Sequence, residues 1–85
     1  MAEEKLIGKV FSYFKKIGVA AVDITNDDLI VGDKIIIRGS ITNFEQEVES
    51  MQIEGEDIEE VSVGKSVGLK VIKVTRVGDL IYKLI

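Results

Sequence analysis

Leu29-Ile30-Val31-Gly32-Asp33-Lys34-Ile35-Ile36-Ile37-Arg38 is the stretch on which the fold turns. Gly32-Asp33 reads as a turn, because aspartate closes turns through its side chain and glycine adopts backbone angles that other residues avoid. Three consecutive isoleucines follow, and β-branched side chains favour strands. Successive strand residues point to opposite faces, so Ile36 opposes the Ile35/Ile37 pair. Both faces then need an apolar cover, as barrels and packed sheets provide. Outward from this stretch the pattern repeats. Thirteen isoleucines and eleven valines dominate, and eight glycines punctuate them about every ten residues. That is the rhythm of short strands and turns. Strands are expected near Ile7–Phe14, Gly18–Thr25, Lys34–Arg38, Glu45–Ile53, Ser66–Val74 and Leu80–Ile85.

Thr25-Asn26-Asp27-Asp28 supplies a second turn, since Asn and Asp tolerate left-handed backbone and bond to it through their side chains. In Val67-Gly68-Leu69-Lys70-Val71 the alternation is clean, with Val67, Leu69 and Val71 on one face. The phase reverses after Ile72, which predicts a β-bulge near Val71–Ile72. Two segments read ambiguously. Leu6, Val10, Phe14 and Ile17 fit a helical stripe, which would make Lys5–Lys16 a basic amphipathic helix. Gly8 and the aromatics Phe11, Tyr13 and Phe14 favour a strand instead, with Val10, Ser12 and Phe14 on one face and Phe11 and Tyr13 on the other. Glu54–Val61 reads as a short turn or a single helical turn.

The chain has 85 residues, enough for one domain over 1–85 with its core in about 6–85. It has no cysteine, histidine, proline or tryptophan. A disulfide framework, a zinc finger and any Cys or His nucleophile–base pair are thereby excluded. Gly64-Lys65-Ser66 imitates the end of a phosphate loop, but Glu59 stands where the motif needs its first glycine. A hairpin turn is expected there, and no cofactor. Carboxylate pairs occur at Asp27/Asp28, Glu56/Asp57 and Glu59/Glu60, without the spacing of a calcium loop. No metal site and no catalytic residue are assigned, and the expected role is non-catalytic. No apolar run approaches the ~20 residues of a spanning helix, and the N-terminus Met1-Ala2-Glu3-Glu4 is acidic rather than basic. A cytoplasmic protein without membrane association is expected, and the Lys, Glu, Ile and Val excess resembles thermophile composition.

The net charge of −4 is unevenly spread. Residues 45–60 carry eight acids and no base, whereas residues 61–85 carry five bases against Asp79. An acidic chain disfavours non-specific nucleic-acid binding, though a local basic face could still meet phosphates. The candidates for such a face are Lys65, Lys70, Lys73 and Arg76, followed by Lys9, Lys15 and Lys16, with Tyr13 as a stacking platform.

Leu29-Ile30-Val31-Gly32-Asp33-Lys34-Ile35, Val63-Gly64-Lys65-Ser66-Val67-Gly68-Leu69 and Val77-Gly78-Asp79-Leu80-Ile81 resemble, in order and spacing, the second domain of translational GTPases of the elongation factor Tu type. Tyr13 to Ala20 and Phe44 to Ile53 are similar to the distinctive strings of small translation elongation factor-like proteins and of the C-terminal domain of collagenase-like peptidases. The resemblance implies an all-β, six-stranded Greek-key barrel and a strand at the N-terminus. It implies no GTP binding, because the GTP-binding domain has no counterpart here. In tRNA-carrying factors a glutamate near Met51–Glu54 meets the aminoacyl end. Gln52 takes that position here and, with Glu54, joins the candidate binding residues, although the acidic Glu54-Gly55-Glu56 speaks against an aminoacylated end as the ligand. The main expectation is a binding module for RNA, either tRNA or rRNA, or for a protein of the translation or RNA-modification machinery. The alternative is a protein-interaction accessory subunit related to the barrel of collagenase-like peptidases.

Overall fold

The computed structural model describes residues 3–85, so Met1 and Ala2 of the acidic N-terminus lie outside it. Its strands are β1 (Glu4–Phe14), β2 (Val19–Ile24), β3 (Leu29–Ile30), β4 (Lys34–Arg38), β5 (Asn43–Glu47), β6 (Met51–Ile53), β7 (Glu56–Ile58), β8 (Glu60–Val61), β9 (Ser66–Lys70) and β10 (Leu80–Leu84). No helix occurs among the described residues, so the segment Lys5–Lys16 is a strand up to Phe14. Eight strands form one antiparallel sheet in the order β5-β4-β10-β1-β2-β9-β6-β7, and β3 pairs with β8.

The all-β class holds, but the six-stranded closed barrel does not. Among the described residues ten strands replace six, and no ladder joins the edge strands β5 and β7. The expected strand Glu45–Ile53 is broken at Val48–Ser50, where Val48 N–H donates to the Asp33 carbonyl and Val48 C=O accepts from Gly32. The expected strand Ser66–Val74 ends at Lys70, so the chain leaves the sheet where a bulge was expected. Glu54–Val61 is neither a lone turn nor a helical turn, since it contains β7 and β8.

A side chain partly substitutes for the missing ladder. Buried Gln46 on edge strand β5 donates from Nε2 to the Lys70 carbonyl at 2.8 Å and accepts at Oε1 from the Ile72 N–H at 2.9 Å. It ties the rim of the sheet to the segment leaving β9. The core lies inside the curled sheet and is built from Ile7, Val10, Ala20, Val22, Ile35, Ile37, Met51, Leu69 and Ile81, with neighbours. Ile35, Ile36 and Ile37 are all buried, which meets the demand for apolar cover on both faces. Ile36 points outward and is covered by its cross-strand neighbours Tyr82 and Glu45.

Two Gly-Asp turns launch the paired strands β4 and β10. In Ile30-Val31-Gly32-Asp33 the Asp33 N–H donates to the Ile30 carbonyl and its carboxylate accepts from the Ile30 N–H. Arg76-Val77-Gly78-Asp79 repeats both bonds. Gly32 and Gly78 take φ of 101° and 95°, the positive values that favour glycine at the third turn position. The second turn is the more deeply set: Asp79 is buried against Gly39, where any side chain would collide with its carboxylate.

Candidate binding groove

The outer face of β1, β2 and β9 is set by register. Lys9 opposes Asp23, which opposes Ser66, and Ser66 Oγ donates to Asp23 Oδ1 at 2.6 Å. This is a polar row. Two residues along, Ala21 opposes Gly68, and then Phe14, Val19 and Lys70 align. Between the rows the β1–β2 register shifts between Val10 and Ser12. Such a shift inserts one residue and reverses the facing of those beyond it. Phe11 and Phe14 therefore both point outward, 47% and 50% exposed, while Tyr13 packs against the core. The expectation that Phe11 and Tyr13 share a stacking face is corrected: Tyr13 is a half-buried packing residue and Phe14 takes the outer position.

The result is a groove on the outer face. Two adjoining depressions of about 480 and 590 Å³ share Ile17, Val19, Gln52 and Gly68. Ala21 and Gly68 form a floor of small residues. Phe11, Phe14 and Ile17 form one wall, and the β6–β7 hairpin the other. Ile17, 61% exposed, sits on the turn between β1 and β2, which is closed by the Gly18 N–H donating to the Phe14 carbonyl at 2.9 Å. The opposite hairpin turns on Glu54-Gly55, with φ of 52° and 80°. Two consecutive positive values between paired Ile53 and Glu56 describe a type I′ turn. Among the described residues Glu54 is the one non-glycine residue with positive φ. Left-handed backbone costs an ordinary residue roughly 1–2 kcal/mol.

The candidate residues fall in different places. Gln52, Glu54 and Lys70 line the groove. Gln52 Nε2 donates to Asp57 Oδ1 at 3.0 Å, so the acid on edge strand β7 borders the groove as well. Lys70 Nζ donates to the Ile17 carbonyl at 3.1 Å and pins the β1–β2 turn. Lys15 and Lys16 are exposed in that turn, outside the groove lining. Lys65 lies in the turn before β9, where its N–H donates to Ser62, as the hairpin reading of Gly64-Lys65-Ser66 expects. Lys73 lies beyond the far end of β9, and Arg76 begins the turn that ends at Asp79. Five strand residues span roughly 17 Å, so Lys65 and Lys73 stand well apart. The basic C-terminal third is a cluster in sequence and a scatter in space. The groove residues Phe11, Phe14 and Ile17 escaped the candidate set: the bulge that turns Phe14 outward leaves no mark in composition, and Ile17 is exposed by the β1–β2 turn.

Charge elsewhere serves the turns. Lys83 Nζ donates to the Asp28 carbonyl at 3.1 Å and lies 3.6 Å from Asp33 and 3.8 Å from Asp27. The Asp28 amide, with Lys5 and Lys83 nearby, holds the Asp27 carboxyl below its ordinary range. Arg38 pairs with Glu4 at 2.8 Å and stacks 5.2 Å over the Tyr82 ring. Among the described residues no helix is long and apolar enough to cross a membrane.

No protein-family model matches the chain. It is 40% identical over 79 residues to an uncharacterised protease of Methanocaldococcus jannaschii, covering 92% of this chain and 19% of that protein. It is 30% identical over 82 residues to a collagenase of Porphyromonas gingivalis, covering 95% of this chain and 23% of the relative. The chain thus spans about a fifth of the length of the curated relatives it matches. Among solved structures it matches the C-terminal domain of a Geobacillus thermoleovorans protein classed as a U32 peptidase. There the TM-score is 0.85 at 26% identity, covering 93% of this chain and 91% of that domain. These similarities are to the C-terminal domain of collagenase-like U32 peptidases. They give the resemblance to that domain its support and give none to the resemblance to translational GTPases.

Proposed function

We propose that the chain is a non-catalytic, protein-binding accessory module for a collagenase-like peptidase. The observation that carries this reading is the match of nearly the whole chain to nearly the whole of a U32 peptidase's C-terminal domain. Supporting it is an outer sheet face on which the described residues leave Phe11, Phe14 and Ile17 about half exposed or more. Exposed apolar patches on small domains mark interaction surfaces. An RNA-binding role in translation draws no similar support, since the basic candidates are dispersed and the relatives above are peptidases.

The test is gel filtration of the chain with the body of a U32-type peptidase from the same cell, followed by cross-linking. Co-elution, with cross-links to residues flanking the groove, is expected. Separate elution at concentrations of tens of micromolar and no cross-link would remove the reading. Bulk tRNA bound in the same buffer, with binding lost in Lys70→Glu/Lys73→Glu, would replace it with the RNA reading.

A further inference from the structure

The groove carries a charge pattern of its own. Glu49 lines one depression and Glu54 the other, flanking the three residues of β6. Asp57 borders the same wall through its bond from Gln52. Lys70, the one cation in the lining among the described residues, is engaged with the Ile17 carbonyl. Between the acids the wall carries Ser50 and Gln52, and facing them Phe11, Phe14, Ile17 and Val19 supply the apolar surface over the small floor at Ala21 and Gly68. The two depressions share Ile17, Val19, Gln52 and Gly68 and so run into one another on the open outer face.

We propose that the groove binds an extended peptide segment whose apolar side chains are flanked by two basic residues four to five positions apart. The spacing follows from the rim. Glu49 and Glu54 are five positions apart, which places their Cα atoms at most roughly 17 Å apart. An extended peptide covers that distance in about five residues. Lysine or arginine at its two ends meets Glu49 and Glu54, and the apolar residues between them cover Phe14, Val19 and Gly68. Binding energy comes from the apolar anchors, while the rim charges select the sign and register of the ligand. The proposal names the ligand chemistry of the accessory module proposed above, and so rests on that reading.

The experiment is an amide NMR titration of the full chain with three acetylated and amidated seven-residue peptides. The first has Phe and Leu between two Lys five positions apart, the second replaces Lys by Glu, and the third replaces Phe and Leu by Ser. The first peptide is expected to shift the amides of Ala21, Gly68, Gln52 and Glu54, and to bind about tenfold more tightly than the second. The third is expected to cause no shift. Glu49→Lys with Glu54→Lys should reverse the preference between the first two. Equal binding of both charged peptides overturns the proposal. So do tighter binding of the acidic peptide, shifts away from the groove, and shifts that depend on protein concentration alone, which would mean a second copy fills the groove. If the peptidase body co-elutes with a Phe11→Ser/Phe14→Ser variant as well as with the parent, the groove proposal falls while the accessory reading survives.

Discussion

Strands β1, β2 and β9 present apolar residues to both of their faces, and the two faces meet opposite environments. Inward, Val10, Val22 and Leu69 are fully or nearly fully buried in a sealed core. Outward, Phe11, Phe14 and Ile17 remain about half exposed or more around a floor of Ala21 and Gly68. The inner residues are branched aliphatics that interlock across the curled sheet. The outer ones are two aromatics and an isoleucine at the rim and small residues at the base, a shape that leaves space rather than filling it. The inner face therefore holds the fold together, and the outer face is available to a partner. Substitutions on the two faces should separate stability from binding.

The largest effect is expected on the inner face. Leu69→Ala leaves a cavity at the centre of β9 and should cost about 3 kcal/mol. Thermal melting should then fall by roughly 15 °C, given the entropy of a domain this size. Next comes the closing side chain. Gln46→Leu strands the Lys70 carbonyl and the Ile72 N–H, and should cost about 2 kcal/mol by urea titration. A loss as small as that of an exposed residue would show that β5 is held by its ladder to β4 alone. Smaller and opposite in sign, Glu54→Asn relieves left-handed strain in the type I′ turn and should stabilise by about 1 kcal/mol. It also removes one rim acid, so stability should rise while affinity for the basic peptide falls. Phe14→Ser on the outer face should change stability by no more than about 0.5 kcal/mol.

A further outcome concerns pH. Asp27 has its folded pKa depressed, so its contribution is present above the unfolded value near 3.9 and is lost as pH falls through the folded value. Melting temperature should therefore stay level from pH 7 to about pH 5 and decline below about pH 4. Asp27→Asn should make that decline shallower.

Much of the inner face can be read from sequence. Alternation places Val67, Leu69 and Val71 inside, and the isoleucine triplet demands cover on both sides of β4. The two Gly-Asp turns are legible because only a few residue types serve such backbone. The outer face is harder to read. A register shift at Val10–Ser12 reverses which aromatic points outward, and whether it occurs depends on how β2 aligns rather than on β1 itself. The break at Val48–Ser50 arises from bonds to Gly32 and Asp33, well upstream. Gln46 sits within an acidic run and looks like one more polar residue. Its role appears only once the backbone it meets, 24 and 26 residues downstream, is in place. The basic residues mislead for a similar reason, since proximity along residues 65–76 becomes separation across β9 and two turns.

The most direct measurement pairs melting temperature with partner affinity in the Phe11→Ser/Phe14→Ser variant. The account predicts a melting temperature within a few degrees of the parent and loss of co-elution with the peptidase body. An intact complex, or a fall in melting temperature comparable to that of Leu69→Ala, would contradict it.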